Sequence, residues 1–183
     1  MTAISTDTFT ITRTQESSSA RTVIVGDQIA AVITKKTLTD IENASGARAY
    51  NSASVTGIVT STWTSVPWDT ERYDTDAYHS TVSNTSRMTV PTSGIYLFTG
   101  SVQWDTNSSG ARGLRLLVNG TTQLGAMFFN VGTGNPAMNI SEAMQLAASD
   151  YVELQVYQTS GSNRSLINSA DNSLGFSVTR IGL

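Results

Sequence analysis

The sequence predicts an all-β protein, and three observations carry that prediction. Serine and threonine make up more than a quarter of the 183 residues, and lysine occurs only at Lys35 and Lys36. Short apolar–polar alternations recur along the chain with turn signals between them. β-branched threonine suits a pleated, half-solvated surface and serves helices poorly. Helical surfaces draw instead on Glu, Lys and Ala, which are scarce or scattered here.

Length allows one domain and an extension. A domain of roughly 140 residues buries about two-thirds of the surface its unfolded chain exposes, so it folds without a staple. That agrees with the absence of cysteine, which also excludes a disulfide framework, a thiolate zinc site and a cysteine nucleophile. The net charge of −3 provides no broad basic face for nucleic acid. No apolar run approaches the roughly 20 residues of a membrane span. The start, Met1-Thr2-Ala3-Ile4, lacks the basic and apolar regions of a signal peptide. The expectation is synthesis in a cytoplasm, with release in an assembled particle or by lysis.

The elements divide near Ser45-Gly46. Before that point, β-like pieces fall at 8–13, 22–25 and 28–34, with a Ser17-Ser18-Ser19 break and a Gly26-Asp27 turn. Leu38 and Ile41 are spaced for one helical turn within 37–43. Phe9 is the sole aromatic residue of this stretch, and its large apolar residues are too few for a core. Residues 1–46 therefore read as an arm that gains order by docking, through Phe9, Ile11, Val23, Val25, Ile29 and Ile33. An ordered subdomain is the other reading.

Residues 47–183 read as a series of short strands. A strand at 63–68 ends in an acidic turn, and another at 86–90 ends in Pro91-Thr92-Ser93-Gly94. Over 95–104, Tyr96, Phe98, Gly100, Val102 and Trp104 fall on one face, and Thr99, Ser101 and Gln103 on the other. Residues 114–118 close on Asn119-Gly120, a hairpin signal because both residues tolerate positive φ. Strands follow at 125–131 and 137–146 around a loop at 132–136. Val152, Leu154 and Val156 then alternate with Glu153 and Gln155, and Phe176 and Val178 with Ser177 and Thr179. Eight or more strands at this spacing make a sandwich or barrel. Glu142 breaks the pattern by sharing a face with Ile140, Met144 and Leu146. Either a bulge re-aims it, or it is buried with a partner such as an arginine.

The strand series resembles a particular family. Val90-Pro91-Thr92-Ser93-Gly94-Ile95-Tyr96-Leu97-Phe98 is similar to a strand of the complement-one-q and tumour-necrosis-factor-like jelly roll. Residues 114–120, 146–157 and 176–182 resemble three further segments of that family, with Ser149 where it usually has glycine. Ala47-Arg48-Ala49-Tyr50-Asn51-Ser52, residues 68–79 and Ser83-Asn84-Thr85-Ser86-Arg87 look like the version found in bacteriophage virion proteins. The resemblance implies a ten-strand jelly roll that forms a homotrimer and has an architectural or recognition role without catalysis. It assigns Tyr96, Phe98, Phe128, Tyr151 and Tyr157 to the domain core or to the trimer core along its axis. With Phe129, the same rings could instead form a carbohydrate-stacking surface. It also implies that residues 1–46 attach the domain to capsid or tail proteins.

Candidate chemistry is densest at 68–79. Asp69, Glu71, Asp74 and Asp76 offer oxygen ligands suited to Ca²⁺, but the spacing matches no EF-hand loop. The competing reading is a solvated turn in which Arg72 neutralises its neighbours, with no cofactor. His79, the sole histidine, lies near Asp76 and Ser80, yet nothing around it supplies a nucleophile elbow or an oxyanion loop. Gly132-Thr133-Gly134 precedes no helix and cradles no phosphate. Two readings of function follow. One is a trimeric decoration or head-fibre protein of a virion. The other is a module at a tail or fibre tip that recognises cell-surface glycan through loops 106–113, 132–136 and 160–165.

Overall fold

The computed structural model describes residues 45–132, 134–169 and 174–182. The expectations placed on 1–44, including the six apolar residues of the arm, lie outside the described residues. In chain order the strands are β1 (Gly46–Tyr50), β2 (Val55–Ile58), β3 (Thr64–Ser65), β4 (Thr70–Asp74), β5 (Arg87–Thr89) and β6 (Gly94–Gln103). They continue with β7 (Ala111–Val118), β8 (Thr122–Asn130), β9 (Ala137–Leu146), β10 (Tyr151–Gln158), β11 (Arg164–Leu166) and β12 (Gly175–Gly182). Two antiparallel sheets result. The first runs β4-β1-β12-β6-β9, and the second β3-β10-β7-β8 with β5 also paired to β10. These ten strands form the jelly roll, and β2 pairs with β11 beside it. Among the described residues there is no helix.

The alternation in β6 explains why the sheets pack. Tyr96, Phe98, Val102 and Trp104 are buried, and they meet Leu114, Leu116, Val152, Leu154 and Val156 of the second sheet in one core. Gly100 sits in the same row because the sheets come closest there. A Cβ at that position would lie 2.6 Å from the Leu154 side chain. Asn119 and Gly120 adopt φ of 50° and 70°, so the β7–β8 hairpin turns where the residue types allow it.

Four expectations need correction. The strand expected at 63–68 shrinks to Thr64–Ser65. The Val66 N–H still reaches Leu154 O, but Pro67 has no N–H, and the Trp68 N–H turns away to Thr85 O. The strand expected from 114 begins at Ala111, since Arg112 and Gly113 pair with both β8 and β10. In β10 the polar residues of the alternation are covered too: Glu153 is 9% and Gln155 8% exposed. Glu142 is half-buried with no arginine partner among the described residues, and β9 pairs straight through it with Phe98. The irregularity lies across the gap instead. Residue 125 is the extra one in β8, a glycine at φ 50°, where a Cβ would lie 2.5 Å from Glu142 Oε1.

Candidate functional site

The acidic turn is built from its own carboxylates. Asp69 accepts the Ser52 N–H at 2.8 Å, the Ser52 hydroxyl at 2.7 Å and the Thr70 hydroxyl at 2.7 Å. Partial burial pushes its pKa upward, but these bonds from Ser52 and Thr70 together hold it below the usual carboxylate value. Asp74 accepts backbone N–H groups of Asp76, Tyr78 and His79, which folds the chain back after β4. Asp76 accepts the hydroxyls of Ser45 and Thr75. Glu71 faces His79. Among the described residues, no three metal-ligating side chains converge, these four included.

The His79 ring is wholly buried, with Nδ1 2.8 Å from Glu71 Oε1 and Nε2 3.0 Å from Thr85 O. Both nitrogens are held, one by a carboxylate and one by a backbone carbonyl, which fixes the ring in place. The Ser80 hydroxyl accepts the N–H groups of Val82 and Ser83. His79 and Ser80 thus brace the 75–86 loop separately and do not form a nucleophile–base pair.

The five aromatic residues assigned to the domain or trimer core fall in three places. Tyr96 and Phe98 are 0% exposed within the sandwich of a single chain. They have no surface left for a second copy, because the alternation that buries them points both rings at the opposite sheet. Tyr151 is half-buried on the second sheet, under the Arg87 guanidinium at 3.9 Å. Phe128 and Tyr157 lie on the outward face of that sheet, on either side of Gly113. Phe129 packs against the core.

Two surfaces remain for recognition. The outward face of the first sheet is a field of short polar side chains. Arg48, Thr99, Ser101, Asn139, Ser141 and Ser177 line a depression of about 360 Å³ there. The Arg48 guanidinium rests over Gly175 and has no hydrogen-bond or ion-pair partner among the described residues. Ile95 and Ile181 are exposed nearby, with Ile95 against Gly182. Hydroxyls, an amide and a guanidinium can hold a partner, but none of them is a base at neutral pH. The alternation in β6 made Thr99 and Ser101 legible, whereas Arg48, Asn139 and Ser141 join them only through strand pairing.

The second surface is one end of the sandwich, where the loops meet. Thr106 donates its hydroxyl to Asn135 Oδ1, and the Val131 N–H reaches Gly110 O. The Ala111 N–H donates to Thr159 Oγ1 at 2.8 Å. Arg112, wholly buried, donates to Ser109 O, Ala111 O and Asn107 Oδ1 and lies 5.2 Å from the Trp104 ring. Burial lowers its pKa, and the nearby Asp105 opposes that shift.

No family model matches the chain, and no curated protein does. Solved structures do match. Murine APRIL at pH 5.0 aligns with a TM-score of 0.59 and 12% identity, covering 76% of this chain and 100% of that one. The globular domain of zebrafish complement 1qA aligns with a TM-score of 0.53 and 12% identity, over 75% and 97%. The Eiger TNF from S. frugiperda gives 0.50 and 16%, over 75% and 92%. The chain therefore has the jelly-roll fold of the TNF-like and C1q-like domains, an all-β fold of two antiparallel sheets.

Proposed function

We propose that this is a non-catalytic structural protein of a bacteriophage particle, located on the virion. In this reading it is a homotrimeric capsid decoration or head-fibre protein that residues 1–46 anchor to the shell. The virion-like motifs at 47–52, 68–79 and 83–87 support the setting, and the fold supports a binding role. The observation that carries the assembly is the outward face of the first sheet. It combines short side chains, the unpartnered Arg48 and the exposed Ile95 and Ile181, a surface that a second copy can cover closely. Three arms on one trimer would add avidity without new contacts. Deleting residues 1–44, which spares Ser45 and the first residue of β1, is expected to leave a folded, soluble trimer that no longer binds particles. Retained binding contradicts the reading.

One observation favours a second reading, a receptor-binding module at a tail or fibre tip. Of the loops expected to contact glycan, 106–110 and 132–136 are joined by the Thr106–Asn135 bond, and 160–165 adjoins them through Asp105, which meets Ser165 O and Arg164. Residues 111–113 drop out of that set because they belong to β7. Glycan binding by the isolated 47–183 fragment, abolished by substitutions in these loops, supports this second reading.

A further inference from the structure

The outward face of the second sheet carries a cluster that neither the arm nor the loops explain. Trp63, which enters β3, lies across the sheet with its ring 5.2 Å from Tyr157 and 5.5 Å from Phe128. Phe128 and Tyr157 meet edge to face at 5.9 Å. The Arg115 guanidinium sits 4.0 Å from the Trp63 ring centre. The floor is Gly113, whose missing Cβ would lie 2.5 Å from the Phe128 ring. A glycine inside a strand makes room for such a close approach, so the phenyl can lie down on the backbone. Its position is fixed from below and from the side, while the residue remains 56% exposed.

The polar edge of the cluster is equally fixed. Arg115 donates from Nε and Nη2 to Gln155 Oε1, at 2.8 and 2.7 Å, and from Nη1 to Gln123 Oε1 at 2.9 Å. These acceptors are neutral amides, and no carboxylate pairs with Arg115 among the described residues. Three of its five N–H groups are used, which leaves one on each terminal nitrogen. Burial alone lowers its pKa, consistent with a cation that no anion compensates.

The geometry points to a saccharide site here, selective for a pyranose that bears a carboxylate. The apolar C–H face of the ring would stack on Phe128 beside Trp63, and the carboxylate would take the free N–H groups of Arg115. Size favours a sugar over a protein. A stable protein interface needs about 800 Å² per partner with a central apolar anchor. On this face, Phe128 is the sole strongly exposed large apolar residue among the described ones, because Met127 points to the opposite side of β8. The inference goes beyond the decoration reading, does not depend on residues 1–46, and places the sugar on the sheet rather than in the loops.

The test is binding of the full chain to an array of sialylated, uronate-bearing and neutral glycans. Carboxylated glycans should be retained, and Phe128→Ser and Arg115→Gln should each weaken that binding by about tenfold. Thr106→Ala, in the loops, should leave it unchanged. Since the Phe128 side chain is largely exposed, its variant is expected to fold even if Arg115→Gln does not. Four results would overturn the inference: no glycan retained, neutral and acidic glycans held equally, undiminished binding by Phe128→Ser, or loss through Thr106→Ala alone. A change in oligomeric state with Phe128→Ser, without any effect on glycan binding, would mark a subunit contact and overturn it too.

Discussion

At the scale of single residues, His79 and Gly100 show what the chain requires. The His79 ring is wholly buried between Glu71 and the Thr85 carbonyl, so its removal opens a cavity and takes away its hydrogen bonds to both, leaving Thr85 O with the Trp68 N–H alone. His79→Ala is expected to lower unfolding free energy by about 1–3 kcal/mol, read from a urea titration, without altering the β signature of the circular dichroism spectrum. Gly100 is a packing requirement, since the Leu154 side chain it faces is itself fully enclosed. Gly100→Ala should cost about 1–3 kcal/mol by overpacking, visible as a lower urea midpoint with an unchanged m-value. Asp69 gives a pH-dependent contribution of known sign. Its folded pKa lies below the usual carboxylate value, so its stabilising effect is present above that value and is lost as pH falls through the folded pKa. Asp69→Asn should lower the neutral plateau of a stability–pH curve and flatten its acid limb, with little change below the folded pKa.

At the scale of elements, legibility followed from how local the determining contacts are. β6 could be read from its residues because strict alternation puts every second side chain into one core. The β7–β8 turn could be read because Asn119-Gly120 accept positive φ by their own chemistry. β10 could not be read fully. Its polar residues look solvent-facing, but Glu153 is covered by Ser65, Ser86 and Arg87, and Gln155 by Ser65 and Arg115. Those partners come from segments 40 to 90 residues away in the chain, where no local pattern points to them. Gly125 looks like an ordinary strand glycine, and its role appears only when Glu142 arrives from β9. The aromatic rings differ in legibility for the same reason. Tyr96 and Phe98 carry their burial in their spacing, while the placement of Phe128 and Tyr157 beside Trp63 is set by pairing over Gly113.

At the scale of the whole molecule, the fold is built to present surfaces. One sheet offers a field of short polar side chains with an uncompensated Arg48, the other a clamped aromatic cluster with an uncompensated Arg115. Two half-buried cations without a carboxylate partner thus lie on opposite outward faces, each open to a partner's acceptors. In the proposed trimer, Arg48→Glu should weaken self-association, shifting the sedimentation profile toward the monomer, while Arg115→Gln should leave the oligomer intact.

Imaging the intact particle tests the central claim most directly. Threefold jelly rolls are expected on the virion shell, with the outward face of the first sheet turned toward its copies and residues 1–46 lying on shell subunits. Single copies, or jelly rolls confined to a tail tip with residues 1–46 free of the shell, would contradict it.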